Sequence, residues 1–165
     1  MIKIGHKIVY RDKICTVKEI IKCYRNDEDY YVLTDVNDPT LLIKVPLTLA
    51  ETIMRPLITR DEIDSLIKKI PDISTVSISN WNRGAEYKTL LRDGTHESVI
   101  SVIKTAYQRQ QDKIDDRKKP SESDKIYFRQ AENLFYSEIA AALNIDFDEA
   151  RDYIVTRTGN FSVAK

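Results

Sequence analysis

The spacing of apolar residues changes once along this chain. From residue 5 to residue 58, β-branched and aromatic residues form short runs separated by polar turns. Such runs are typical of short antiparallel strands. From Thr59 onward, apolar residues recur at the three- and four-residue spacing of amphipathic helices. The strands predicted in the first part are residues 7–10, 14–21, 30–33 and 41–46.

Several helix boundaries are marked in the second part. Thr59 and Glu62 have the spacing of a capping box, which predicts a helix that stops before Pro71. The polar stretch 71–80 has no helical spacing and is predicted to connect the domains. A short helix then ends near Gly94, where glycine favours termination. The N-caps predicted for the remaining helices are Thr95, Ser121 and Asp146.

These patterns predict an α+β fold class. A small antiparallel β barrel or curled sheet comes first, followed by an all-α helical domain. The 165 residues are enough for two small domains. The predicted divisions are a β domain at 1–58, a helix and connection at 59–80, a helical domain at 81–158 and a frayed tail at 159–165.

Composition narrows the class of protein. Hydrophobic residues make up 42% of the chain and charged residues 32%, which is typical of a soluble globular protein. No apolar run approaches the roughly 20 residues that span a bilayer. The first residues contain no apolar secretory segment. We therefore expect a cytoplasmic protein that does not contact a membrane.

Charge is balanced overall but not along the chain. Lys plus Arg and Asp plus Glu each number 26, so tight DNA binding by the chain alone is disfavoured. A local basic face is still compatible with this balance. For one helix, a solvated face with ion pairs four residues apart is the simpler interpretation. The basic residues concentrated in this part of the chain are Lys104, Arg109, Lys113, Arg117, Lys118 and Lys119.

Residues that could carry catalysis or bind a metal are few. Cys15 and Cys23 have no zinc-ligand spacing and are predicted to be buried or half-buried thiols. His6 and His96 are predicted to lie at the surface or at its boundary. The chain also lacks a phosphate-binding glycine-rich loop. We therefore predict no catalytic site, no metal site and no cofactor.

The single tryptophan is the most informative residue. Trp81 stands among Ser79, Asn80, Asn82 and Arg83, which are poor neighbours for a core residue. It is predicted to be an exposed aromatic wedge beside a cation. Lys88 and Arg92 follow on the next helix and favour a nucleic-acid surface, because Lys and Arg hold phosphates while an aromatic ring enters the minor groove.

Five segments, in order, resemble the CarD/CdnL family of bacterial RNA-polymerase-binding transcription factors. The segment NWNR is similar to the family's tryptophan signature, and LIKVP is similar to one of its strands. The chain departs from the family in the turn after its first strand, and again in the GAE that follows Arg83, where the family has basic and aromatic residues. That second departure predicts weaker DNA contact, or a cluster rebuilt from Lys88 and Arg92. The five segments are IGHKIVY at 4–10, LIKVP at 42–46, RPLI at 55–58, NWNR at 80–83 and residues 121–143.

The resemblance implies a function for each part. The first part would be a Tudor-like β domain that docks on the RNA polymerase β subunit. The helical part would contact promoter DNA at the upstream edge of the melted region and stabilise the open complex. The chain would act as a monomer that binds DNA weakly unless tethered. By position in the family pattern, Lys44 would contact polymerase, Trp81 would be the wedge, and Arg83 and Lys125 would contact DNA. With the neighbours on the same strand and the cations of the next helix, the predicted sites are Leu42, Ile43 and Lys44 for polymerase, and Trp81, Arg83, Lys88, Arg92 and Lys125 for DNA.

Two alternatives stay open at this point. Lys44 interrupts an apolar run, so it either extends along the rim of the sheet or faces a partner. Trp81 could instead anchor another protein, which would make the chain a protein–protein interaction module without direct DNA contact.

Overall fold

A computed structural model describes residues 2–159 of the chain. It divides the chain into two compact units, with the division between Leu57 and Ile58. The first unit is built on an antiparallel sheet and the second on helices, which confirms the predicted α+β class. The predicted frayed tail lies outside the described residues, except for Gly159.

The β unit contains a five-stranded antiparallel sheet with strand order β4-β3-β2-β1-β5. A short helix, α1 at Leu47–Ile53, joins β4 to β5. The sequence pattern predicted neither α1 nor β5, because elements of seven and three residues are too short to show a period. The strands are β1 at Lys7–Tyr10, β2 at Lys13–Arg25, β3 at Glu28–Asp35, β4 at Leu42–Pro46 and β5 at Met54–Pro56.

The hairpin between β2 and β3 is longer than the pattern predicted. Its pairing register shifts between Val17 and Glu19 and again between Ile21 and Arg25, and such bulges interrupt strict alternation. The turn residues Asn26 and Asp27 have φ angles of 53° and 55°. Two successive positive φ angles are what a two-residue type I′ turn requires.

The two cysteines lie in different surroundings. Cys15 is buried in the core of the β unit, and burial raises its thiol pKa to about 12. Cys23 is exposed, so the prediction of a buried or half-buried thiol was wrong there. The cause is the second bulge, where Cys23 has a φ of 47° and lies outside the regular pairing. The core around Cys15 contains Ile8, Val17, Tyr31, Leu33, Val45, Ala50 and Met54.

The helical unit has five α-helices in its described part. Thr59 and Glu62 form the predicted capping box, and Asp146 begins another with Glu149. Gly94 ends α3 with a φ of 71°, a left-handed conformation that glycine adopts without strain. The helices are α2 at Arg60–Lys69, α3 at Arg83–Asp93, α4 at His96–Asp115, α5 at Glu122–Leu143 and α6 at Phe147–Thr158.

The stretch predicted as a connection is tied to α4. Ser74 O accepts a hydrogen bond of 3.1 Å from Ser101 Oγ, and Val76 N donates one of 2.9 Å to Thr105 Oγ1. These contacts place the stretch inside the helical unit, on the surface of α4.

A buried acid of α5, Glu138, holds the first residue of this unit. Glu138 Oε1 accepts a hydrogen bond of 3.0 Å from Ile58 N, and its other oxygen is 3.1 Å from His96 Nε2. His96 is half-buried, as a boundary residue should be. No helix in the described part of the chain has the length and apolar character needed to cross a membrane.

Candidate nucleic-acid interface

Trp81 is displayed rather than packed. Its side chain is 99% exposed, which confirms the prediction that this tryptophan is not a core residue. It lies in the short segment that precedes α3, between Asn80 and Asn82. We call residues 79–82 the Trp81 loop.

A buried carboxylate lies beneath this loop. Asp124, in the first turn of α5, is only 1% exposed. It accepts a hydrogen bond of 2.8 Å from the hydroxyl of Tyr87 and one of 3.2 Å from Nε of Arg109. The Nε of Arg83 is 3.8 Å away, an ion pair rather than a hydrogen bond. Two cations and a hydroxyl therefore compensate the charge of one carboxylate.

The same two arginines reach the Trp81 loop itself. Asn80 Oδ1 accepts a hydrogen bond of 2.7 Å from Nη2 of Arg109 and another of 3.1 Å from Nη2 of Arg83. Arg109 also donates through Nη1 to the carbonyl of Ile78, at 3.1 Å. Because planar guanidinium groups present donors in a fixed geometry, these contacts fix the backbone on the N-terminal side of Trp81.

A second carboxylate holds the loop from α3. Glu86 Oε2 accepts a hydrogen bond of 3.0 Å from Ser79 N, and Ser79 Oγ accepts one of 3.0 Å from Asn82 N. Glu86 belongs to the segment that departs from the family pattern. The carboxylate of Glu86 binds the backbone of the Trp81 loop, so this departure from the family pattern has a structural role in the chain.

The predicted DNA-binding cations fall into two groups. Arg83 is engaged with Asn80, Asp124 and the hydroxyl of Ser121, and its side chain is 19% exposed. Lys125 pairs with Glu122 at 3.0 Å and is 32% exposed. Ser121 thus begins α5 as predicted, but its hydroxyl accepts from Arg83 instead of capping the helix.

Lys88 and Arg92 form the second group. Both are exposed, and neither side chain has a hydrogen bond or ion pair within the described part of the chain. They lie four residues apart on α3, on the same face as Ala85 and Thr89. These two cations are free to meet phosphate, whereas Arg83 serves the protein's own interior.

The sequence pattern missed the residues that organise this site. Asp124 stands three residues after the predicted cap Ser121, where an acid is expected near a helix start, yet it lies on the α5 face that carries Tyr127, Ala131 and Leu134. A carboxylate in register with an apolar face was the available signal. Lys104 belongs to the predicted basic face, but its Nζ donates to the carbonyl of Ile73 at 2.8 Å, and burial lowers its pKa.

An open groove runs beside the Trp81 loop, with a volume of about 320 Å³. One wall comes from the extended stretch 76–78 and the other from α3. The side chains of Val76, Ile78 and Leu90 make it largely apolar.

The predicted polymerase-binding residues lie on an edge strand of the other unit. Along β4, Leu42 and Lys44 are exposed, whereas Ile43 and Val45 point to the core side. Lys44 Nζ is 2.7 Å from the hydroxyl of Tyr24 and 4.1 Å from its ring centroid. The ammonium lowers the pKa of that hydroxyl through the hydrogen bond. Lys44 therefore lies along the exposed rim of the sheet and stays accessible.

Comparison with known families gives a match to the helical unit. The family model described as CarD, C-terminal domain, matches residues 65–155, more than half of the chain. The match includes the Trp81 loop and the residues around Asp124. No curated protein matches the chain.

Proposed function

Because this chain belongs to the CarD/CdnL family of transcription-related proteins, we propose that it is a polymerase-tethered promoter-binding factor. In this proposal the β unit is a Tudor-like domain that docks on the RNA polymerase β subunit. The helical unit contacts promoter DNA at the upstream edge of the melted region and stabilises the open complex. The chain acts as a cytoplasmic monomer and needs no cofactor or enzymatic step.

The observation that carries the proposal is that an exposed tryptophan stands on a loop fixed by several side-chain contacts. A side chain that is 99% exposed gains nothing from the protein's own core. Yet its loop is fixed by two arginines, a buried aspartate and a glutamate. Because the loop is already fixed, less conformational entropy is lost when the indole ring of Trp81 enters a base step of DNA. This loss is the cost that a wedge must limit.

The cations divide the work on DNA. Lys88 and Arg92 are unpaired and follow Trp81 on α3, so they supply phosphate contacts. Arg83 acts as a positioning residue through Asn80 and Asp124. Lys125 reaches DNA only by exchanging its partner Glu122 for a phosphate. Only two of the predicted DNA-binding cations are unpaired, so intrinsic binding through them is weak, and tethering to polymerase compensates by raising the local concentration.

The β4 edge supports the docking part of the proposal. An edge strand leaves backbone groups available to pair with a partner's strand. Leu42 and Lys44 lie on its exposed side and supply an apolar and a charged contact. A Lys44→Glu variant should lose binding to a polymerase β-subunit fragment, while Lys18→Glu, an exposed lysine on β2, should bind normally. Undiminished binding by Lys44→Glu would place the interface elsewhere.

The DNA part is tested by the lifetime of the open complex. Trp81→Ala should shorten the lifetime to that of polymerase alone, and binding to the β-subunit fragment should be unchanged. Ile126→Ala, which removes another exposed apolar side chain from the same unit, is the matched control and should behave as wild type. A normal lifetime with Trp81→Ala would refute the wedge.

The groove beside Trp81 favours one alternative. An exposed tryptophan next to an apolar groove of about 320 Å³ also fits an interface with another protein. Footprinting of a polymerase–promoter complex separates the two functions. Added protection upstream of the melted region supports DNA contact, and unchanged protection with retained polymerase binding supports the protein-interaction module.

A further inference from the structure

The turn after α4 displays three consecutive cations on a fixed backbone. Arg117 has a left-handed φ of 56°, and its N–H donates to the carbonyl of Ile114 at 2.9 Å. The N–H of Lys118 donates to the carbonyl of Lys113 at 2.7 Å. This pair of bonds is a Schellman motif, which ends a helix in one defined conformation. Arg117, Lys118 and Lys119, all exposed, are called the turn cations.

The position of this turn relative to Trp81 follows from α3 and α5. Arg83 binds Ser121, whereas Tyr87 binds Asp124, so α3 and α5 advance in the same direction along their contact. The ring of Tyr87 also stacks on Tyr127, with centroids 5.2 Å apart. Lys88 and Arg92 follow Tyr87 on α3, so they lie toward the C-terminal end of the α3–α5 contact. The turn cations precede Ser121, so they lie beyond the N-terminal end of the same contact.

We propose that the turn cations form a second binding site for the phosphodiester backbone of duplex DNA. The inference rests on the proposed function, because it takes Trp81 as the wedge. Lys88 and Arg92 would hold phosphates on one side of Trp81, and the turn cations would hold phosphates on the other. A wedge that opens a base step pushes both flanks of the duplex apart, so contacts on both sides stabilise the opened step.

A simpler role for these cations must be separated from this one. Cations at the C-terminus of a helix are stabilised by the helix dipole, whatever else they bind. Nearby acids also offset part of the charge. Glu122 has a lowered carboxyl pKa, mainly through its hydrogen bond from Lys125 and to a smaller extent through Lys119. The exposed Asp115 and Asp116 precede the turn.

The chain contains a matched control for the dipole role. Lys68 and Lys69 are exposed cations in the last turn of α2. Lys104 donates to the carbonyl of Ile70, immediately after α2, so this helix end lies beside the middle of α4. At about 1.5 Å per residue, Lys104 is about 20 Å along α4 from the turn cations. The triple and the double neutralising substitution thus share a dipole effect but lie at different positions along α4.

The experiment uses the full chain bound to a polymerase–promoter complex. Sugars of the promoter are footprinted with hydroxyl radicals for wild type, for Arg117→Gln/Lys118→Gln/Lys119→Gln, and for Lys68→Gln/Lys69→Gln. The turn variant should lose protection on one flank of the Trp81 contact and keep it on the other. The slope of log affinity against log salt should fall by about 2 to 3, roughly one for each lost phosphate contact. The α2 variant should match wild type in both measurements.

The remaining outcomes are distinguishable. Protection of both flanks by the turn variant, with an unchanged salt slope, would overturn the second site and leave the wedge intact. An equal loss of promoter protection in the turn variant and the α2 variant would also overturn the second site, because a general charge effect would then explain both losses. If wild type protects no promoter sugars, the proposed function fails and the second site fails with it. Urea unfolding of each variant verifies its fold, and single substitutions replace any triple variant that unfolds early.

Discussion

The two candidate surfaces each contain a tyrosine hydroxyl, and they use it in opposite ways. At the β4 edge, Tyr24 accepts a hydrogen bond from the exposed ammonium of Lys44, which lowers the Tyr24 pKa. Beneath the Trp81 loop, Tyr87 donates to the carboxylate of Asp124, and burial together with that bond raises the Tyr87 pKa. One hydroxyl lies at the rim of a regular sheet, and the other helps to build an irregular loop.

This difference teaches how each surface is held in place. Backbone pairing with β3 fixes the conformation of the β4 edge, so the edge does not depend on contacts of its exposed side chains. The Trp81 loop has no such pairing and depends on buried charges instead. Because unpaired buried charges are costly, the loop should be sensitive to single substitutions, and the edge should not.

The largest effect is expected from Asp124→Asn. This change leaves Arg83 and Arg109 half-buried without their carboxylate, so the helical unit should lose about 3 kcal/mol of unfolding free energy, near the lower end for a broken buried pair. Urea unfolding measures the loss. The loosened loop should also shorten the open-complex lifetime under conditions in which the variant is folded.

Asp152→Asn is the matched control, because Asp152 is an exposed acid on α6. It should unfold as wild type does. If Asp124→Asn costs no more than Asp152→Asn, the charges under the Trp81 loop do not organise it, and the contrast with the β4 edge disappears.

An intermediate effect is expected from Tyr87→Phe. Removing a hydrogen bond to a buried charged group should cost about 1.5–3 kcal/mol at pH 7. The substitution should also change the pH dependence. A folded-state pKa raised above the unfolded value of about 10 gives stability that is complete below pH 10 and is lost as pH rises further.

Wild-type stability should therefore fall above pH 10, and it should fall less steeply in Tyr87→Phe. Some decline should persist in the variant, because burial also raises the pKa of Tyr136, to about 12. Urea midpoints measured from pH 8 to pH 11.5 test both statements. Parallel curves for the two proteins would show that Tyr87 ionises normally.

The same contrast explains what the sequence could predict. Strands, caps and the exposure of Trp81 depend on residues close together in the chain, and local patterns revealed them. The role of Arg83 depends on contacts that span the helical unit: Tyr87 and Asp124 are 37 positions apart, and Arg83 and Ser121 are 38 apart. A list of cations could not separate Arg83, which is tied inside, from Lys88, which is free. The pattern predicted strands that were too short in the β2–β3 hairpin for a local reason, because its bulges break the alternation on which strand prediction depends.

The smallest effect on stability is expected from Lys44→Met. Its ammonium lowers the Tyr24 pKa, so ionisation of this hydroxyl adds stability that is complete above the unfolded pKa of about 10 and is lost as pH falls through the folded pKa. The contact between Lys44 and Tyr24 is exposed and adds little at pH 7, so the urea midpoint should stay that of wild type. Binding to the polymerase β-subunit fragment should nevertheless be lost.

Ultraviolet titration can detect the change directly. One tyrosine should ionise at higher pH in Lys44→Met than in wild type, because its hydroxyl no longer receives the hydrogen bond from the ammonium. Lys18→Met, a change at an exposed lysine on β2, should leave the titration unchanged. A Lys44→Met variant that unfolds as early as Tyr87→Phe would mean that the β4 edge also depends on its side-chain contacts. The two surfaces would then differ in composition but not in how they are held.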